Sequence, residues 1–283
     1  MMSKRDEIIS RIASVPPLPS ASTEVIRLVQ DPNAPSGEIA RAIEYDPSLT
    51  ANVLRLANSA YFGFPQSVST VKEALFRLGT QKIFQMVLST TVGKMTQDSA
   101  RGYDVSGTDL WDHLIGTAIG STKIAQTLGL EAPDYTFTAA LMHDIGKVVL
   151  GMVLEVDTKN IIALAINEKT SFEMAERQIL GIDHAEVGAY IMHLWNLPAY
   201  FVETARWHHD PDSYTDDCLA VKLVHLADIT CLMAGVGTSI DALLYRPSNK
   251  VLAELGMERT ALDKIVYEIL NELMEVRSIF KLK

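Results

Sequence analysis

Residues 141–150 read LMHDIGKVVL, so His143, Asp144 and Lys147 stand inside an otherwise apolar run. Such a run belongs in a core, and a charge buried there without a partner costs several kcal/mol or more. The stretch therefore has two readings. His143 and Asp144 form a structural hydrogen-bonded pair, or they hold a cation. Apolar spacing on both sides predicts one helix over residues 136–154. Neighbouring residues on a helix point about 100° apart, so His143 and Asp144 are expected to flank an ion lying in a groove beside it.

The same helical period runs outward in both directions. Ser20–Gln30 places Val25, Leu28 and Val29 on one face, and DPNAP stops it. Ser36 is read as the N-cap of GEIARAIEY, with Ile39, Ala42 and Ile43 turned inward. Asp46 and Pro47 end that helix and open PSLTANVLRLANSAYF as cap and first-turn proline. VKEALFRLG begins at Val71 and closes on Gly79, and a further helix covers Gln81–Met95. Residues 96–108, polar and rich in Gly and Ser, are read as a connector.

The second half continues with helices over residues 109–129, 157–167, 171–180, 184–195, 198–209, 219–234 and 259–279. No stretch alternates as a strand does, and no internal repeat or low-complexity tract stands out. The expected fold is all-α, with an N-terminal helical subregion (15–95) packed against a second helical subregion (105–240). Residues 241–283 form a C-terminal extension.

The chain has 283 residues, ample for a large core. Apolar residues make up 48% and charged residues 21%, which is the profile of a soluble globular protein. With 25 Lys and Arg against 35 Asp and Glu the formal net charge is −10. No cluster of basic residues appears, so DNA and RNA are not expected as partners. No segment reaches the roughly 20 apolar residues that span a bilayer, and the N-terminus lacks the apolar core of a signal peptide. Two cysteines, Cys218 and Cys231, give no disulfide framework and fit a reducing cytoplasm. The eleven methionines scatter at helical spacing as core filler.

All seven histidines fall in the second half: His113, His143, His184, His193, His208, His209 and His225. Imidazole is a ligand for Zn, Fe and Mn, and carboxylates complete such sites. Asp144 and Asp228 are the natural carboxylates. The order His113, His143-Asp144, Asp228 resembles the HD superfamily of metal-dependent phosphohydrolases.

Wider context sharpens that resemblance. VPPLPS (residues 15–20), EIARAIEYDPSLTANVLRLANSAYFG (38–63), STVKEALFRLG (69–79), LGIDHAEVGAYIMHLWNLP (180–198) and ARWHHDPD (205–212) together resemble the HDOD family. It is a signalling-associated relative of those hydrolases, and the likeness covers roughly residues 15–215.

The resemblance carries several implications. Many HDOD proteins have lost the metal ligands, whereas this chain keeps His113, His143, Asp144 and Asp228. It also keeps His184, His208 and His209, which resemble second-metal ligands of the HD-GYP phosphodiesterases. One ion would then use His113, His143, Asp144 and Asp228. A second would use Asp144, His184, His208 and His209, with the Asp144 carboxylate shared. Imidazole mixed with carboxylate favours Fe or Mn, one or two ions.

Asp109, one turn before His113, is either a ligand, a supporting carboxylate or a simple N-cap. Lys147 either faces an anionic substrate or pairs with a nearby carboxylate. His193 and His225 match no ligand position and are read as packed or surface residues. Asn58 and Ser59 are read as serving the end of their helix.

Two functions follow. The first is a cytoplasmic HDOD-type signalling protein that keeps the metal site and binds a ligand, such as a nucleotide or other phosphate compound, or a protein partner. The alternative is an active phosphohydrolase on a nucleotide or phosphodiester. There Asp144 and Lys147 would be catalytic, Lys147 stabilising developing negative charge. A di-iron centre for oxygen chemistry, as in some HD proteins, is a more distant reading. DPDSYTDD (residues 210–217) stands where HD-GYP enzymes carry their Gly-Tyr-Pro loop, so the likeness does not extend to cyclic di-GMP hydrolysis.

Overall fold

In a computed structural model of the chain, the described residues are 3–59, 67–99, 107–154, 158–216, 218–237 and 245–280. Among them every regular element is a helix. In order these are α1 (Lys4–Ile12), α2 (Ser20–Val29), α3 (Ser36–Glu44), α4 (Pro47–Ala57), α5 (Val71–Ser99), α6 (Gly107–Leu128), α7 (Thr136–Met142), α8 (Ile145–Val153), α9 (Thr158–Glu168), α10 (Phe172–Leu180), α11 (His184–Leu194), α12 (Ala199–Trp207), α13 (Leu219–Met233), α14 (Asn249–Glu254) and α15 (Arg259–Phe280). The all-α expectation holds. The chain divides into a larger unit, residues 1–15 with 95–273, and a smaller one, residues 16–94 with 274–283. Residues 245–273 of the C-terminal segment thus fold within the larger unit.

In the smaller unit the local signals act where the sequence places them. Asp46 caps α4, its carboxylate accepting from Ser48 N at 2.9 Å and Leu49 N at 3.0 Å, with Pro47 in the first turn. Gly79 adopts φ 78° and breaks the helical path of α5 at the residue read as a helix end. Ser36 is corrected: it is the first helical residue, and the extended Pro35 before it occupies the cap position without a side-chain bond. α4 stops at Ala57, and residues 60–62 of the expected helix lie outside the described set.

Asn58 has the structural role. Its amide donates to Leu54 O and Val68 O, both at 2.8 Å, and accepts from Val68 N at 2.6 Å. It thereby pins residue 68 to the end of α4. Asn58→Ala removes three hydrogen bonds at a partly exposed position. The expected loss is about 1–2 kcal/mol in urea unfolding, and no loss would show that the clamp is idle.

In the larger unit α6 lies along α13 and against α7, while α11 packs on α8 and α12. The expected helix over residues 136–154 is corrected here. It is two helices, α7 and α8, separated at His143 (φ −54°, ψ −38°) and Asp144 (φ −100°, ψ 18°). The groove-beside-a-helix picture falls with it, because the pair sits at a junction. Residues Thr136–Val153 have mean hydropathy 1.2, enough by composition for a membrane span, yet 72% of the stretch is buried in the protein.

Gly146, the second residue of α8, lets that helix touch α11. A Cβ there would stand 1.8 Å from His184 O and 2.8 Å from Gly188 N. α6 begins at Gly107, so Asp109 lies inside its first turn and is not its N-cap. α5 extends to Ser99 into the expected connector, and residues 100–106 are outside the described set. Residue 157, read as the start of a helix, is likewise outside it, and α9 is described from Thr158.

Candidate metal centre

Five elements of the larger unit converge on one buried spot. α6 contributes His113, the α7–α8 junction His143 and Asp144, the first residue of α11 His184, the residues just after α12 His208 and His209, and α13 Asp228. Their side chains are at most 5% exposed. They form two groups: His113, His143 and Asp228, and Asp144, His184, His208 and His209. Within each, one nitrogen or oxygen per residue lies within 4.8 Å of the others. Asp109 belongs to neither group.

The Asp144 carboxylate lies between the groups with one oxygen toward each. Oδ2 is 3.5 Å from His113 Nε2 and 3.5 Å from His143 Nε2. Oδ1 is 3.3 Å from His184 Nε2 and 3.5 Å from His208 Nε2. Asp228 Oδ1 completes the first group, 3.1 Å from His113 Nε2 and 3.8 Å from His143 Nε2. His184 Nε2 and His209 Nε2 approach to 2.8 Å. Lys147 Nζ donates to Asp144 Oδ2 at 2.6 Å, so it pairs with a carboxylate, one of the two roles anticipated for it.

The outward ring nitrogens are already engaged. His143 Nδ1 meets Ala140 O at 2.6 Å, His208 Nδ1 meets Ala205 O at 2.8 Å, and His113 Nδ1 meets Val236 O at 3.3 Å. A carbonyl only accepts, so Nδ1 carries the proton in each ring and Nε2 keeps its lone pair. Those Nε2 atoms, with His209 Nδ1, Asp144 Oδ1 and Asp228 Oδ2, are buried and make no hydrogen bond. Buried polar atoms are nearly always satisfied in native proteins. Here a cluster of lone pairs is left pointing at one another, which is the donor set a divalent cation requires. The chain therefore carries a His/Asp cluster suited to a divalent metal.

Charge states agree with that use. Burial alone pushes Asp144 up, but Lys147 and His143 outweigh it and hold the carboxyl well below its usual range. Burial likewise opposes Asp228, and the adjacent His113 and His143 rings more than reverse it. Burial, then Lys147, drives the His184 imidazolium pKa well below normal. Burial, then His208, does so for His209, and burial lowers His225.

In metal-free protein each shift has the same consequence. A histidine depressed on folding binds fewer protons folded than unfolded, so stability falls as pH drops below the unfolded value of about 6.5. The depressed carboxylates extend that loss as pH falls below about 3.9 toward their folded values. Chelator-treated protein should lose stability from about pH 6.5 downward, by up to about 1.4 kcal/mol per pH unit for each such histidine. Urea midpoints between pH 5 and 7 test this, and a flat profile would contradict it.

One supporting residue was not singled out by sequence, and a second, His225, was given no tie to the site. Glu176 on α10 is wholly buried and accepts from both the backbone N and Nδ1 of His184. The signal was present: with Phe172, Ala175 and Leu180 it forms the buried face of its helix, another carboxylate in an apolar stripe. His225, read as packed, is packed but also tied in. Its Nδ1 bonds His208 O at 2.7 Å and its Nε2 accepts from Ser248 N at 3.0 Å. His193 is exposed.

Comparison with known proteins places this geometry. A protein of no assigned function from Treponema pallidum (strain Nichols) is 27% identical over 214 residues, 73% of this chain. The chain spans 40% of the length of that curated relative. An HDOD domain protein of unknown function from Geobacter sulfurreducens shares 25% identity, with 97% of this chain and 95% of that one covered and a TM-score of 0.76. A candidate phosphohydrolase from Shewanella amazonensis SB2B shares 23% (96% and 97% covered, TM-score 0.71). A candidate signal transduction protein from Marinobacter aquaeolei VT8 shares 23% (98% and 64%, TM-score 0.75). The last two likenesses speak to fold alone. Residues 15–211 match the HDOD domain, and the chain belongs to the HDOD domain family.

Proposed function

We propose that this is a cytoplasmic HDOD signalling protein whose larger unit binds two divalent ions and hydrolyses a phosphoester, either a nucleotide or a phosphodiester. The observation that carries the reading is the set of buried, unsatisfied ring nitrogens and carboxylate oxygens around a shared carboxylate. His113, His143, Asp144 and Asp228 would hold one ion, and Asp144, His184, His208 and His209 the other. The mixture of imidazole and carboxylate suits Fe or Mn. Bound ions there would supply charge neutralisation and an activated water.

The remaining work falls to the chain. His113, His143, His184 and His208 keep their Nε2 lone pairs inward because Nδ1 is tied outside. The buried walls exclude bulk water, which strengthens every charge interaction within. Lys147, beside the shared carboxylate and 14% exposed, is placed to meet an anionic phosphoryl oxygen. The signalling role and its protein partner rest on family membership. The acidic net charge supports a reading without nucleic acid or membrane as partner.

A second reading is a metal-holding regulator that binds its ligand without turnover. The almost complete burial of the ligand atoms favours it. The two separate cleanly by experiment. Protein purified without chelator is assayed for metal per chain and for phosphate release from a panel of nucleotides and phosphodiesters, beside the double variant His143→Ala/Asp144→Ala. Two ions with release that the double variant abolishes is the expected result. Metal without release supports the regulator, and release surviving in the double variant removes the hydrolytic reading.

A further inference from the structure

We propose that Glu176 is a positioning residue that makes the two halves of the centre unequal: by fixing the His184 ring it decides whether the half built from Asp144, His184, His208 and His209 retains its ion. The inference rests on the two-ion reading above and concerns a residue outside either ligand group.

The geometry begins with a carboxylate where none should be. Glu176 faces inward with Phe172, Ala175 and Leu180 and has no exposed surface. A buried carboxylate needs donors. It finds two on one residue: the backbone N of His184 at 3.0 Å and the ring Nδ1, both on Oε2. A backbone N–H can only donate, so Oε2 is an acceptor there, and it takes the Nδ1 proton in the same role. Nε2, the atom facing Asp144 Oδ1, is thereby left with its lone pair.

The two-point attachment does more than choose a tautomer. Backbone N and ring Nδ1 of His184 are anchored to the same oxygen, which fixes both side-chain torsions of a residue that opens a helix. Such a first residue lacks a preceding helical turn to pack against.

The other rings are held differently. His113, His143 and His208 place Nδ1 on neutral carbonyls. Among the described ligand histidines, His184 is the one whose outward nitrogen is hydrogen-bonded to a carboxylate. An anionic acceptor raises the basicity of the ring more than a carbonyl does, and loss of such an outer partner typically costs 10–100-fold in metal affinity. That cost should fall on one half of the centre. The other half keeps its own rings, Asp228 and the far oxygen of Asp144.

The test is Mn(II) titration calorimetry of metal-free wild type and Glu176→Gln, with thermal unfolding of both. Glutamine keeps the size and an accepting oxygen but removes the charge. The expected result is two ions in wild type, and in the variant one ion at unchanged affinity and a second bound about 10–100-fold more weakly. Two unchanged affinities in the variant overturn the inference alone. Equal weakening of both ions, with a lowered melting point, overturns it in favour of a purely structural carboxylate. A wild type that takes up one ion or none overturns the two-ion reading and the inference together. Should Glu176→Gln not fold, the 15N histidine spectrum of metal-free wild type decides: His184 protonated at Nδ1 supports the assignment, and protonation at Nε2 overturns it.

Discussion

Asp144→Asn is expected to leave the protein with at most one bound ion per chain and to lower phosphoester hydrolysis by roughly 10^3-fold or more. The carboxylate presents Oδ2 to the His113–His143 side and Oδ1 to the His184–His208 side. An amide has one acceptor oxygen and one donor nitrogen, so it can serve one side only. A metal contributes several kcal/mol of transition-state stabilisation, and each 1.36 kcal/mol is tenfold in rate, which sets the magnitude. The change also strips Lys147 of its 2.6 Å partner. Because that lysine is partly exposed, it can re-solvate, and the fold should survive. Metal analysis with single-turnover phosphate release checks the prediction. Two ions in the variant with near-normal turnover would show that the carboxylate does not bridge.

Gly146→Ala should be the most damaging single methyl group in the larger unit. The added Cβ would meet His184 O at 1.8 Å, His184 C at 2.8 Å and Gly188 N at 2.8 Å. These are backbone atoms and cannot swing aside as a side chain would. α8 and α11 must therefore move apart by more than about 1 Å, opening a close-packed contact. Overpacking of this kind costs about 1–3 kcal/mol and sometimes more, and a rigid backbone neighbour puts this site at the upper end. For a unit of this size each kcal/mol shifts the melting point by about 2–4 °C, so a drop of roughly 6–12 °C is expected. The obstructed carbonyl belongs to His184, so the folded fraction should also bind metal less well. A melting point within 2 °C of wild type, with full metal content, would refute this.

Some of this is written in short stretches of chain. Asp46 and Pro47 announce the start of α4, and Gly79 marks the break in α5, because caps and left-handed residues act within a few positions. His143, Asp144 and Lys147 declare themselves by polarity in an apolar run. Other features are hidden for the same physical reason. The break between α7 and α8 is invisible to periodicity, since apolar residues continue on both sides of it. Only the backbone angles of His143 and Asp144 reveal it. Ser36 and Asp109 look like caps by residue type, yet each lies inside its helix, because cap position depends on where the preceding backbone turns.

Sequence alone determined that the chain is helical, where most of its helices run, and which side chains are able to ligate a cation. Those properties depend on neighbours within one or two turns. Tertiary structure alone decided that His113 and Asp228, 115 positions apart (228 − 113), stand 3.1 Å from each other. It also decided that Asp144 turns one oxygen to each group, and that Glu176 stands behind His184. Those are outcomes of how helices pack, and packing is settled by the shape of the whole core, which no local stretch of residues contains.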